Sequence, residues 1–159
     1  LAGKTLVIDG FNVLVTLEAA LSGGVILAGR DGCFRDMASM HGTYRRVAET
    51  TQALTLLGEA LESLGVVTCR WLFDRPVSNS GRVQALASDL ARERGWSWEV
   101  QLVQDPDREL AVATNVIASA DSGILNRCGR WFSLAQYVVE QQISTAWLVD
   151  FRDYDSDVL

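Results

Sequence analysis

Four short apolar runs in this chain each deliver an aspartate at their end. Asp9 closes residues 5–9, Asp74 closes residues 66–74, Asp105 and Asp107 follow residues 96–103, and Asp121 lies just past residues 113–119. In open α/β sheets the ligand crevice lies outside the carboxyl ends of the strands, where the strand order reverses. Parallel strands would therefore gather these carboxylates on one edge of the sheet. Clustered carboxylates cannot all stay ionised unless a cation offsets their repulsion. An oxygen-only donor set suits Mg²⁺ or Mn²⁺ rather than zinc. Carboxylate-held divalent ions stabilise the attacking and leaving oxygens of an in-line displacement at phosphorus, so the chemistry indicated is phosphodiester hydrolysis.

Each aspartate also has a plainer use. Asp9 can open a turn, and Asp121 can cap a helix in the segment Ser119-Ala-Asp-Ser122. Asp105 and Asp107 flank Pro106, which makes one of them a turn residue. Asp107 is assigned to the site because Arg108-Glu109-Leu110 reads as a helix start that points it back at the crevice. The four expected metal and catalytic positions are Asp9, Asp74, Asp107 and Asp121.

The elements that must position them follow from periodicity. Residues 5–9 read as a buried strand and residues 11–21 as a helix. Residues 23–29 form a small strand or hairpin arm, and residues 30–42 are expected to be irregular. From Tyr44, apolar Val47, Leu54, Leu57, Leu61 and Leu64 recur at helical steps until Gly65 stops them. Residues 66–74 are a second major strand. A helix follows, with Val83, Leu86, Leu90 and Ala91 on one face and Gly95 as its stop. Residues 96–103 and 113–119 are further strands, residues 131–143 mix a short strand with a helix, and residues 146–149 are a last strand. This alternation predicts one domain: a three-layer α/β fold with an open, mostly parallel sheet and helices on both faces. Residues 150–159 form an acidic, frayed tail. Leu1 in place of Met indicates a piece of a longer chain.

Composition narrows the partners. Fourteen Lys plus Arg stand against 20 Asp plus Glu, for a formal charge of −6 and a pI near 4.7. So acidic a chain does not hold a polyanion by bulk electrostatics and needs a local basic patch or metal ions. Lys4 is the only lysine, so its cations are guanidinium forks suited to phosphates and carboxylates. Three dispersed cysteines argue for a reducing cytoplasm rather than a disulfide framework. No apolar run approaches the roughly 18 residues of a membrane span. Walker, G-x-G-x-x-G and G-x-S-x-G motifs are missing, and one histidine does not make a Cys/His zinc site. A haloacid-type phosphatase needs a second Asp two places after its nucleophile, where this chain has Phe11.

Leu6-Val-Ile-Asp-Gly-Phe-Asn-Val-Leu14 resembles the opening strand and turn of PIN-like nucleases, particularly the NYN branch. Leu72-Phe-Asp74 and Ile117-Ala-Ser-Ala-Asp-Ser-Gly-Ile-Leu125 look like that branch's second-strand and late acidic segments. The middle of the chain is similar to a domain-of-unknown-function branch, through Asp31-Gly32, Arg35-Asp36, His41-Gly-Thr-Tyr-Arg45 and Pro76-Val-Ser-Asn-Ser-Gly81. The resemblance covers roughly residues 4–140 and implies a PIN-like fold, Mg²⁺ or Mn²⁺, and RNA as substrate. It maps Asp9, Asp74 and Asp121 onto acidic positions, with Asp107 a looser match, and Asn12 and Ser122 onto polar neighbours that orient a ligand or its water. Phe11 stands where that branch carries Tyr, and residues 14–42 are longer than in PIN nucleases.

Two stretches complete the expected site. His41, Tyr44 and Arg45 lie where a loop enters a helix, a setting that suits a phosphate, and Arg45 would steady charge developing at phosphorus. Ser78 and Asn79 precede another helix and can meet an anion or simply cap it. The expected activity is a metal-dependent ribonuclease, with a partner protein helping to recruit RNA; a homo-oligomer is the other expected association. The competing expectations are a non-catalytic RNA, nucleotide or protein-binding module, and a phosphatase for small phosphate esters.

Overall fold

The computed structural model describes residues 1–37 and 48–152. Within them the chain runs β1 (Thr5–Asp9), α1 (Gly10–Leu21), β2 (Val25–Ala28), β3 (Phe34–Asp36), α2 (Ala48–Ser63), β4 (Thr68–Asp74), α3 (Ser80–Arg94), β5 (Trp98–Val103), α4 (Pro106–Val112), β6 (Val116–Ala118), α5 (Ser122–Leu125), α6 (Leu134–Gln142) and β7 (Trp147–Asp150). The protein is α/β, with a four-stranded parallel sheet in the order β5-β4-β1-β6. From β1 the chain steps outward to β4 and β5, then returns to place β6 on the other side of β1. The strand order therefore reverses beside the carboxyl end of β1, where such sheets bind ligands.

Strand periodicity sorts the side chains between two faces. Leu6, Ile8, Trp71, Phe73 and Ala118 pack on one face against α1, α2, α3 and α6 in the main core. Val7, Leu72 and Ile117 turn to the other face, where Leu110 of α4 and Ile124 of α5 cover them. Fully burying one such side chain contributes about 1.5–3 kcal/mol. The alternation also fixes where the polar residues point. Asp9 lies two residues beyond Val7, Asp74 two beyond Leu72, and Ser119 two beyond Ile117. All three therefore belong to the α4/α5 face of the sheet.

Gly10 explains how α1 begins directly at that edge. A Cβ there would stand 2.5 Å from the Phe73 ring and 2.9 Å from the Leu72 carbonyl, so only glycine lets the helix start against β4. At the opposite end of the sheet, Trp96 lies against Gly58 of α2, and a Cβ on Gly58 would collide with the indole.

A second, three-stranded sheet orders β3-β2-β7, with β2 antiparallel to β3 and parallel to β7. This corrects the expectation that residues 30–42 are irregular. The buried Phe34 and a turn through Gly32 (φ +80°) fold residues 34–36 back along β2. The strands also divide between two sheets rather than joining one. Asp150, expected in a frayed tail, closes β7 opposite Ala28. Residues 153–159 lie outside the described residues. The strand expected over 113–119 is shorter, Val116–Ala118, and Trp131 makes only an isolated parallel bridge to Ile117. Among the described residues no helix is long and apolar enough to cross a membrane, and Cys33, Cys69 and Cys128 are unpaired.

Candidate functional site

Asp9 is the buried centre of the reversal edge, only 9% exposed. It occupies the N-cap position of α1, without a side-chain capping bond of full geometry. Ser119 Oγ donates to Asp9 Oδ2 at 2.8 Å, across the β1–β6 boundary. Burial pushes the Asp9 carboxyl up to about 7. The Ser119 hydrogen bond and the Asn12 backbone N–H oppose that rise, while the charges of Asp107 and Asp121 add to it.

Those interactions define the grouping. Asp74, at the end of β4, is raised by burial and then by the charges of Asp107 and Asp105. Asp107 is raised by burial and by Asp121 and Asp105, with Arg127 pulling it back. Asp107 thus shares a field with Asp9, Asp74 and Asp121. Asp105 serves a separate purpose. It caps α4, accepting from the Arg108 N–H at 3.0 Å, with Pro106 in the first turn. Asp121 has two roles. Its Oδ1 caps α5 by accepting from the N–H groups of Gly123 (2.6 Å) and Ile124 (3.2 Å), and its own N–H donates to Ser119 Oγ at 3.0 Å. The capping use of Asp121 is realised while its charge still reaches Asp9.

No three His, Cys, Asp or Glu side chains among the described residues are gathered tightly enough to hold a metal ion as they stand. The donor chemistry nevertheless fits a hard cation. The grouped donors are carboxylate oxygens, and Asp74 Oδ1 is a buried oxygen with no hydrogen-bond partner. Asp107 is exposed, so its side chain keeps rotamer freedom, whereas Asp121 is exposed but held by its capping bonds.

The remaining expected residues fare differently. Asn12 Oδ1 accepts from the Ala120 N–H at 2.8 Å, so its side chain ties the β1–α1 turn to the β6–α5 turn. Ser122 is the exposed first residue of α5, beside Asp121. Ser78 and Asn79 are exposed in the turn after Asp74, where Asn79 takes a left-handed φ of 67° before α3. His41, Tyr44 and Arg45 lie outside the described residues.

Three side chains at this edge escaped the sequence assignment. Ser119 is the contact that holds Asp9. Arg127 reaches the field of Asp107 and donates its Nε to the Gly123 carbonyl at 2.7 Å. Arg35, from β3, donates its Nε to the Ala120 carbonyl at 2.8 Å while Asp31 grips its other nitrogens at 3.0 and 2.6 Å. The Ala120 peptide is consequently clamped on both sides, by Asn12 at its N–H and by Arg35 at its carbonyl. The polar, non-periodic stretch Ser119-Ala-Asp-Ser122 carried a signal for Ser119. Nothing local to residue 35 announces a bond formed 85 positions away.

The chain belongs to the family described as Domain of unknown function (DUF5616), whose profile matches residues 1–137. It is similar to an uncharacterised protein, MJ0935, of Methanocaldococcus jannaschii, at 34% identity over 123 residues. That alignment takes in 77% of this chain and 58% of the archaeal protein, so the chain spans little more than half of that relative's length. No solved structure matches the chain.

Proposed function

We propose that this chain is a PIN-like, Mg²⁺- or Mn²⁺-dependent ribonuclease working at Asp9, Asp74, Asp107 and Asp121. One observation carries the reading: a buried Asp9, held by Ser119 at the strand-order reversal, shares a field with carboxylates delivered by three other strand ends. The parallel order β5-β4-β1-β6 and the acidic strand ends also agree with the resemblance in residues 6–14, 72–74 and 117–125. A bound divalent ion would offset the carboxylate repulsion and supply Lewis-acid stabilisation of charge at phosphorus. Asp9 and Asp74 form the buried part of its seat, and Asp107 and Asp121 the exposed part. Ser119 and the Asn12–Ala120–Arg35 clamp hold these groups in place, and Ser122 faces the ligand. Arg45 is assigned the developing charge, and His41, Tyr44, Ser78 and Asn79 are assigned to RNA binding. The unpaired cysteines favour a cytoplasmic setting. A net charge of −6 leaves RNA capture to local cations, a second copy or a partner protein.

Thermal unfolding with and without Mn²⁺, alongside cleavage of single-stranded RNA, tests this reading. Mn²⁺ should raise Tm and support cleavage, and Asp9→Asn should remove both effects. The lack of a tight three-carboxylate group among the described residues favours a second reading, a module that binds RNA without cutting it. Metal-independent RNA binding with no cleavage would establish that reading. Turnover of a chromogenic phosphomonoester but not of RNA would assign the same carboxylates to a phosphatase.

A further inference from the structure

Beside the acidic edge, α4 and the end of α5 enclose an open cleft of about 520 Å³, lined by Asp105, Asp107, Arg108, Ala111, Val112 and Arg127. Its composition is unlike that of the carboxylate seat. Arg108 and Arg127 make no ion pair among the described residues. Arg127 is nevertheless oriented, because its Nε is spent on the Gly123 carbonyl, and that leaves its terminal nitrogens for another acceptor. Alongside Arg108, α4 also gives the cleft apolar lining: Ala111 is half-buried and Val112 is 76% exposed, the most exposed large hydrophobic side chain among the described residues. Asp107 belongs both to this cleft and to the carboxylate group, so the two sites are contiguous.

We propose that this cleft is a subsite for one nucleotide unit of single-stranded RNA next to the unit at the carboxylates, with Arg108 and Arg127 taking its phosphate and Ala111 and Val112 its sugar or base. The inference rests on the nuclease reading for the neighbouring site and goes beyond it. It makes the substrate a polynucleotide rather than a small phosphate ester, whose single phosphate would leave both arginines unused. The guanidinium of Arg108 and the terminal nitrogens of Arg127 suit a phosphodiester. They also supply local positive charge to a chain whose net charge is −6. Placed beside Asp107, they let a polyanion approach an otherwise repulsive edge.

The test is fluorescence anisotropy with a short fluorescein-labelled single-stranded RNA, in Ca²⁺ and in EDTA, over a range of KCl concentrations. Inorganic phosphate serves as a competitor, and cleavage is measured in parallel in Mn²⁺. Arg108→Ala/Arg127→Ala should weaken RNA binding about tenfold or more. It should also make the log–log salt dependence shallower by about 1.4, as expected for two lost phosphate contacts to a single strand. Arg108→Lys/Arg127→Lys should restore most of the salt dependence but not the full affinity, because the charge returns without the fork. A double-alanine variant with wild-type Tm, affinity and salt dependence would overturn the subsite, as would a wild-type protein that binds no RNA in either buffer. Arginine-dependent binding without metal-dependent cleavage would keep the subsite and remove the nuclease reading. Cleavage with an unchanged KM in the double-alanine variant would remove the subsite and keep the nuclease.

Discussion

The two ends of the parallel sheet use their side chains in opposite ways. Where β4 and β5 begin, Trp71, Trp96 and Trp98 lie ring against ring, with centroids 4.8–4.9 Å apart between successive members, and Gly58 makes room for Trp96. Where the strands finish, four aspartates lie within one another's electrostatic reach, one of them buried. The first end lowers the free energy of the fold by removing apolar surface from water. The second raises it by taking charge out of water. On the proposed reading the acidic end is kept for chemistry, so the same kind of substitution should have opposite consequences at the two ends.

The sharpest contrast comes from removing one group at each. Asp9→Asn should abolish both the Mn²⁺-induced rise in Tm and RNA cleavage while the protein stays folded. Trp71→Ala, at a fully buried ring, should cost about 3–5 kcal/mol in urea unfolding, with cleavage per folded molecule preserved. Equal losses of stability from the two changes would erase the distinction.

A pH series tests the cost at the acidic end directly. The Asp9 carboxyl binds its proton more tightly when folded, with the value raised from 3.8 to about 7. Its contribution to stability is therefore fully present below about pH 4 and is lost as pH rises through about 7. The full shift corresponds to at most about 4 kcal/mol. Asp9→Asn in EDTA should make the metal-free protein more stable than wild type above pH 7 and flatten this part of its stability curve. A wild-type stability that rises over the same interval would contradict the assignment.

The smallest expected effect refines the comparison. Arg35→Ala removes half of the Ala120 clamp and should lower stability by about 1–2 kcal/mol, because part of the Asp31 pairing is exposed to solvent. It should weaken Mn²⁺ binding by a larger factor than Arg92→Ala does, since Arg92 pairs only with Asp89 on the surface of α3. Indistinguishable Mn²⁺ titrations for the two variants would reduce Arg35 to a structural residue.

How much of this was readable from the residues depends on range. Val7-x-Asp9 and Leu72-x-Asp74 declare their facing through strand alternation alone, and Leu54, Leu57 and Leu61 declare the buried stripe of α2. Gly65, with φ +67°, stops that helix where its sequence position predicts. Asp105 and Asp107 were harder to separate, because both sit beside one proline and only the capping bond to Arg108 distinguishes them. The strand β3 was illegible: three residues supply a single alternation, and its register is set by β2. The bonds from Ser119 to Asp9 and from Arg35 to Ala120 join residues 110 and 85 positions apart. Such pairings are a product of the assembled sheet and leave no local pattern.

The parallel pairing of β2 with β7 has a bearing on how the protein is made. A two-stranded ribbon is marginal on its own in water, and β2–β3 gains its third strand only from residues 147–150. During synthesis the ribbon that carries Arg35 packs on α1 and gains its third strand only after residues 147–150 have left the ribosome. The brace that Arg35 lends the acidic edge is completed only once that third strand has been made.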